Sequence, residues 1–334
     1  MAKTGRYSMG VDLGGTKILA AVVDDQGKVV GRAKKTTQAD QGPKHVISRI
    51  IKVVDEAIGA AGLDKKQIVS FGMGAPGTVD SKNGVVVNLT NLPGWQNIQL
   101  ASILRKDWLD VPITLSNDVR VAAIGEHRVG AGVGVDNLIA VFVGTGLGGG
   151  LILNGKVFEG ARGTAGEIGH MIMMIDGPYA FGSGVRGGIE SLASRSAIER
   201  DLRHGLERGR ASVLPTLMAE KDGALTSSVL AKAVAKNDPL TVEVLRRAAY
   251  YLGLHAATLI NAFDPDMLVY GGGVIEGLGQ WMLPQIDSTA KQNCINRTNL
   301  DKIRIIEAKL GEEAGAIGAA LMSRDGLSDK TDKK

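Results

Sequence analysis

One supersecondary unit occurs twice in this chain. Residues 7–35, YSMGVDLGGTKILAAVVDDQGKVVGRAKK, read as strand, Gly turn, strand, hairpin turn at Gln26-Gly27, strand. Residues 137–160, NLIAVFVGTGLGGGLILNGKVFEG, repeat that order, with the hairpin turn at Asn154-Gly155. The copies share almost nothing beyond glycines, so the order and turn chemistry mark an internal duplication. Two like halves facing across a cleft would bring their Gly turns to one ligand. The alternation of strands with helical patterns indicates an α/β fold. After the first unit, Val46, Ile50, Val53, Val54, Ala57 and Ile58 carry helical spacing, and QIVSFGMGA reads as a strand. Residues 100–109 have helical character, and ITLSNDV is a strand running into the helix VAAIGEHRVG. After the second unit come helices over 189–204, 226–236 and 239–262, with a loop or inter-helix excursion over 205–225. The strands MLVYGGGV and IRIIEAKL and the helix EEAGAIGAALMS close the chain, before a charged tail expected to be disordered.

The totals narrow the function classes. A chain of 334 residues is long enough for two domains with substantial cores. Its 46 glycines, without low complexity, point to tight turns and close approaches of backbone to ligand. The net charge of +4 is small and partly in the tails, so there is no nucleic-acid footprint. Cys294 is the single cysteine, which rules out an intrachain disulfide and a cysteine-built zinc site. No signal peptide or apolar run of membrane length is present, and a cytoplasmic enzyme is expected.

Two stretches match G-x-G-x-x-G: Gly72, Gly74, Gly77 and Gly144, Gly146, Gly149. A dinucleotide site needs a helix directly after such a turn, and neither is followed by one. A Walker-type phosphate loop is also missing. What remains is a β-hairpin tip whose backbone N–H groups form a concave anion site. DLGGTK adds Thr16 and Lys17 to such a tip, and VGTGLGGG adds Thr145. A third turn, YGGGVIEG, opens a helix in the geometry that holds a nucleotide near a helix N-terminus.

Asn117 and Asp118 end a strand and precede a helix, the mouth where ligands of α/β folds gather. Position alone fits an N-cap as well as catalysis. Glu167 and His170 either share one helix face or read a ligand. Zinc-hydrolase H-E-x-x-H spacing and a G-x-S-x-G nucleophile elbow are both lacking. Asn and carboxylates suit a polyhydroxyl ligand, and a sugar fits better than an acyl or peptide substrate.

Taken together, DLGGTK, GAPGTVD, NLPGW, SND, GTGLGGG, GTAGEIGH, GGIE and the YGGG turn resemble the ROK (repressor, open reading frame, kinase) sugar kinases of the actin-like ATPase superfamily. The match runs in family order over residues 8–320. It implies duplicated actin-like (ribonuclease H-like) α/β domains, with ATP and a hexose in the cleft between them. The expected division is a small domain of 1–116 plus the helix 312–325, a large domain of 117–311, and a disordered tail over 326–334.

Carried over by resemblance, Asp118 is the general base for the sugar hydroxyl. Gly77, Asn91, Asn117, Glu167, His170 and Glu190 bind the sugar. Asp12, Gly14, Gly15, Thr16, Lys17, Thr145, Gly146, Gly272 and Gly273 bind phosphates and nucleotide, with Asp12 near the Mg²⁺ that arrives with ATP. The family habit implies a homodimer, and no nucleic-acid or membrane partner is expected.

The departure from the family lies before Glu190. Many relatives carry C-x-C-G-x-x-G-C there, completing a structural zinc site with the His of GEIGH. Those cysteine positions hold Phe181, Ser183 and Gly188, so no zinc is expected. The loop 171–189 is then left to packing by Phe181 and the MIMMI run. Glucose is the leading substrate, with N-acetylmannosamine, N-acetylglucosamine, fructose and mannose as alternatives. A repressor of the same fold would carry a DNA-binding segment before DLGGTK, where 11 residues precede Asp12. A silent sugar-sensing protein would need neither Asp118 nor DLGGTK.

Overall fold

The computed structural model describes residues 6–89, 92–108, 111–180 and 184–331, with side chains described to residue 325. Contacts divide the chain into two compact units. One comprises Met1–Gly134, Gly150–Gly166 and Glu312–Lys334, and the other Val135–Gly149 and Glu167–Gly311.

The first unit opens with β1 (Tyr7–Leu13), β2 (Lys17–Val23) and β3 (Val29–Thr36), then α1 (Gly42–Ala61) and β4 (Ile68–Ala75). A small antiparallel sheet of β5 (Thr78–Asp80), β6 (Val85–Asn88) and β7 (Gln96–Ile98) follows. Next come α2 (Leu100–Leu104), β8 (Ile113–Asn117) and α3 (Asp118–Val129). The main sheet has the order β3-β2-β1-β4-β8, antiparallel across the hairpins and parallel from β1 to β8. Both of its faces are covered, so β2 reads as a continuous apolar run rather than an alternation. On one side α1 buries Val46, Ile50, Val53, Val54 and Ala57 against β2 and β3. On the other lies the C-terminal helix.

The later elements are β9 (Leu138–Val143), β10 (Leu147–Leu153), β11 (Lys156–Val157), α4 (Ile189–Ala193), α5 (Arg195–Glu207), α6 (Leu214–Ala219), α7 (Ser227–Ala235) and α8 (Pro239–Phe263). After them come β12 (Met267–Gly271), α9 (Gly273–Asn293), β13 (Arg304–Glu307) and α10 (Ala314–Thr331). The second sheet has the order β11-β10-β9-β12-β13. Written by chain order within each sheet, both follow the pattern 3-2-1-4-5. The duplication inferred from the two hairpin units is therefore one of topology.

Three expectations shift. The helix expected over 100–109 ends at Leu104, and the one over 189–204 is two helices, because Ser194 caps a new start through Ala197 N at 3.2 Å. The segment 205–225 contains α6, tied down where Asp238 accepts from Val213 N and Ser212 Oγ, both at 2.9 Å.

The boundary falls at Gly134, not 116, because α3 packs on α10. That contact is close enough that a methyl on Gly318 would strike the Val121 carbonyl. The backbone over 326–331 continues α10 rather than forming a disordered tail, with Asp325 paired to Arg128 at 2.8 Å one turn earlier. Residues 332–334 lie outside the described residues.

Candidate active site

In the first unit, three glycines spaced as a nucleotide fingerprint are packing devices. A side chain on Gly72 would strike the Ala319 carbonyl of α10, and one on Gly74 would strike Val121 and the Asp118 backbone of α3. Gly77 has φ 76°, with the Asn88 carbonyl where a Cβ would lie. Gly72 and Gly74 thus let the sheet press against its helices, while Gly77 lets β6 approach the chain after β4.

Asn117, the last residue of β8, caps α3. Its Oδ1 accepts from Val119 N at 3.0 Å and Arg120 N at 3.2 Å, while its Nδ2 donates to the Gly77 carbonyl at 3.2 Å. The cap fixes the backbone from which Asp118, the first residue of α3, projects. Asp118 Oδ1 accepts from Val119 N at 2.9 Å. Asn91, expected to bind sugar, lies outside the described residues.

Asp12 closes the same end of β1. Burial, and then the charge of Asp118, push its carboxyl up to about 7, against the pull of Lys17. Gly315, at the start of α10, packs on that carboxylate, leaving no room for a Cβ. Beside it the DLGGTK tip is closed by Gly14 N donating to the Lys17 carbonyl at 2.8 Å. Thr37 braces the tip: its Oγ1 donates to Gly14 O at 2.7 Å and its N–H to Thr16 O at 2.8 Å. Gly15 and Thr16 stand at the tip, Thr16 exposed.

Lys17 is bound by Glu312 at 3.0 Å, and Lys34 meets the same carboxylate at 2.7 Å. The two lysines pull Glu312 down to about 2. Sequence reasoning missed Glu312, since its partner lies 295 residues away and no local pattern signals it. Arg120 was missed too, although a charged residue inside the apolar run of α3 was a usable signal.

In the second unit, the Gly144–Gly146 turn is closed by Gly144 N donating to Gly146 O at 2.9 Å. Its carbonyls dock on the start of α5: Gly144 O accepts from Arg195 N at 2.9 Å and Thr145 O from Ser196 Oγ at 2.8 Å. Thr145 is left exposed at the tip. Gly146 makes room for Glu190, whose Oε2 accepts from Leu147 N at 2.8 Å. Gly149 makes room for Ile168. This second fingerprint therefore locks Glu190 and the GEIGH turn to the hairpin. Gly272, at φ 85°, sits against Val143, and Gly273 begins α9 with open space beside it. A helix of this length directs its free N–H groups and positive dipole end there.

Glu167 precedes the 3-10 turn Ile168–His170, and its Oε2 lies 3.9 Å from His170 Nε2. His170 Nδ1 is buried without a hydrogen-bond partner. Behind the turn, within the same unit, sits His255 of α8, fully buried. Neither of its ring nitrogens has a hydrogen bond of normal geometry; the Ile168 backbone gives partial compensation, and burial drives the ring down to about 4.

The loop after this turn is held by its backbone. Met173 N and Met174 N donate to Gly187 O at 2.8 and 3.1 Å, Gly187 N to Pro178 O at 2.8 Å, and Ile189 N to Met171 O at 3.0 Å. Arg186 adds Nε to Gly177 O at 2.9 Å and lies over the Tyr179 ring. The MIMMI run does not pack the loop, since Ile172 and Ile175 are 67% and 86% exposed. Phe181 and Ser183 lie outside the described residues. Gly188 abuts the His170 backbone, so the position where relatives carry their last cysteine is adjacent to the histidine and offers no donor. A lone imidazole without thiolates does not make a zinc site.

Residues 8–325 match the ROK family. The glucokinase of Halalkalibacterium halodurans is 32% identical over 313 residues, covering 94% of this chain and 93% of that one. The glucokinase of Thermotoga maritima is 30% identical over 317 residues, covering 95% and 97%. Among solved structures, a ROK family glucokinase from Streptomyces griseus in complex with glucose and AMPPNP aligns with a TM-score of 0.83 at 32% identity. That alignment covers 96% of this chain and 100% of that one.

Proposed function

The chain belongs to the ROK family, and from that premise we propose that it transfers the γ-phosphoryl group of ATP to a hexose, glucose at O6 foremost. The observation that carries this reading is the carboxyl pair Asp12 and Asp118 at the ligand-facing ends of β1 and β8. A carboxyl whose proton affinity is raised by burial and by a neighbouring carboxylate marks a site built around charge and proton transfer.

Asp118 takes the proton of the sugar hydroxyl as the O6–Pγ bond forms and the bond from Pγ to the bridging β-oxygen breaks. Asn117 and Gly77 hold the strand end from which Asp118 acts, and Asn91, by family resemblance, would bind a sugar hydroxyl. Glu167, His170 and Glu190 read further sugar hydroxyls. The backbone amides of Gly14, Gly15, Thr16, Thr145 and Gly146, with the Lys17 ammonium, hold the phosphates. Gly272 and Gly273 bring the nucleotide to the N-terminus of α9.

Asp12 suits Mg²⁺, because its carboxyl carries an electrostatic excess that a divalent cation relieves. Mg²⁺ bound with ATP would neutralise charge that develops on the phosphates. We place the enzyme in the cytoplasm as a homodimer. Among the described residues no helix is long and apolar enough to cross a membrane.

A coupled ADP-release assay with ATP and Mg²⁺ tests the reading across glucose, mannose, fructose, N-acetylglucosamine and N-acetylmannosamine. Glucose is expected to give the highest kcat/KM. ADP release that no hexose accelerates would remove the kinase assignment.

A further inference from the structure

Arg120 stands two residues after Asp118 on α3, and its guanidinium is 5% exposed. Its Nη2 donates to the carbonyls of Gly163 at 2.9 Å and Ala165 at 3.1 Å, and its Nη1 faces the Glu159 carboxylate at 3.4 Å. All three acceptors lie in 159–166, the stretch that runs straight into Glu167.

That stretch has little else to hold it. Its internal ties are Ala165 N to Glu159 O at 3.0 Å and Gly163 N to Gly160 O at 3.4 Å. Gly160, Gly163 and Gly166 all have positive φ, so the backbone there carries the conformational freedom of glycine. Most of its residues are exposed and bury no apolar face. A planar donor fork anchored in a helix, engaging two carbonyls at once, is the kind of clamp that fixes such a segment.

We propose that Arg120 is a positioning residue for sugar binding. It ties the segment that delivers Glu167 and His170 to the helix that begins at Asp118, without touching the sugar. The inference rests on the hexose-binding reading above. It predicts that sugar affinity depends on a side chain that holds two backbone carbonyls and faces one carboxylate.

The experiment compares wild type with Arg120→Met, Arg120→Lys and Glu159→Gln. Glucose binding is measured by calorimetry, KM for glucose and for ATP by steady-state kinetics, and amide exchange over 159–170 by mass spectrometry without ligand. Arg120→Met, which keeps the bulk and loses every donor, is expected to weaken glucose binding about 10- to 100-fold, the span of one to two lost charge-assisted hydrogen bonds. KM for ATP should stay within about twofold, because only the sugar-reading segment moves. Arg120→Lys, able to reach one carbonyl, should recover part of the loss, and Glu159→Gln should cost about threefold or less.

Exchange should quicken at the amides of 163–167 in Arg120→Met and not in the sheet strands. Equal losses for glucose and ATP together with a lowered Tm would reduce Arg120 to a fold residue and overturn the proposal. So would unchanged glucose binding with unchanged exchange. A wild type that binds glucose without releasing ADP sinks the kinase reading alone, and the binding constants then decide this one. A wild type that binds no hexose overturns both.

Discussion

His255 should make the fold acid-sensitive by a definite amount. The ring is fully buried in α8, next to Ile168, and lowered from the ordinary 6.5 to about 4 by loss of hydration. Between those values the unfolded chain binds a proton that the folded chain refuses. Stability is therefore complete above pH 6.5 and falls as the pH drops toward 4. The full span is worth about 3 kcal/mol, most of it already lost at pH 4.5. Carboxylates titrate in the same range, so the difference between two proteins is the informative quantity. His255→Leu fills nearly the same volume and cannot take the proton. Urea unfolding of both proteins at intervals from pH 7.5 to 4.5 should show the stability gap moving in favour of the variant by about 2–3 kcal/mol. The offset at pH 7.5 reports packing and does not enter. Curves that stay parallel within about 0.5 kcal/mol would show that the ring titrates as in water, and the burial argument fails. Because Ile168 separates Glu167 from Gly169 and His170, glucose KM of the wild type should also rise toward acid more than that of the variant.

Further outcomes are expected. Asp118→Asn should lower kcat by about 10²- to 10⁴-fold with the Tm nearly unchanged, and a near-wild-type rate would remove Asp118 as the base. Asn117→Ala removes a cap from two N–H groups and the tie to Gly77, so it should cost about 1–2 kcal/mol in chemical denaturation and raise glucose KM. Gly72→Ala drives a methyl into the Ala319 carbonyl, and a loss of about 1–3 kcal/mol or more is expected by the same measurement; a neutral result would mean that α10 moves aside freely. Purified protein should hold no stoichiometric zinc in elemental analysis, and dialysis against chelator should leave its Tm in place, since the ligand positions carry no thiolate.

What could be read from the sequence was local. The Gln26-Gly27 and Asn154-Gly155 turns, the apolar spacing of α1 and the Gly-opened start of α9 are each decided within a few residues, and each is present in the fold. Asn117 and Asp118 were legible as a pair, but the capping contacts of Asn117 were not. The hydrogen bonds show Asn117 engaged with Val119, Arg120 and Gly77, and Asp118 accepting from Val119 N beside it. What the sequence concealed was long-range. The boundary moved past α3 because α10, nearly 200 residues later, covers that helix. The Glu312 that holds Lys17 and the carbonyls that hold Arg120 obey no periodicity. The two glycine fingerprints, set aside as dinucleotide sites for want of a following helix, serve packing instead: their spacing accommodates a helix carbonyl at Gly72 and a carboxylate at Gly146.

The described residues of the loop 171–189 are held by peptide groups, and one side-chain atom is left without a partner. Gly187 carries much of the load: its carbonyl takes two N–H groups, its own N–H reaches Pro178, and its φ of 69° is one a side chain would strain. These backbone bonds tie the described parts of the loop to one another, yet they provide nothing for His170 Nδ1, which stays buried and unpartnered. An orphaned acceptor is tolerated in a protein interior more readily than an orphaned N–H. That asymmetry favours the tautomer with its proton on Nε2, the nitrogen that faces Glu167. His170 then presents a donor toward the carboxylate and any hydroxyl between them, while Glu167 can only accept. On the proposed sugar-binding reading, the pair would then offer a hydroxyl group one donor and one acceptor, with the polarity of the ring fixed by burial.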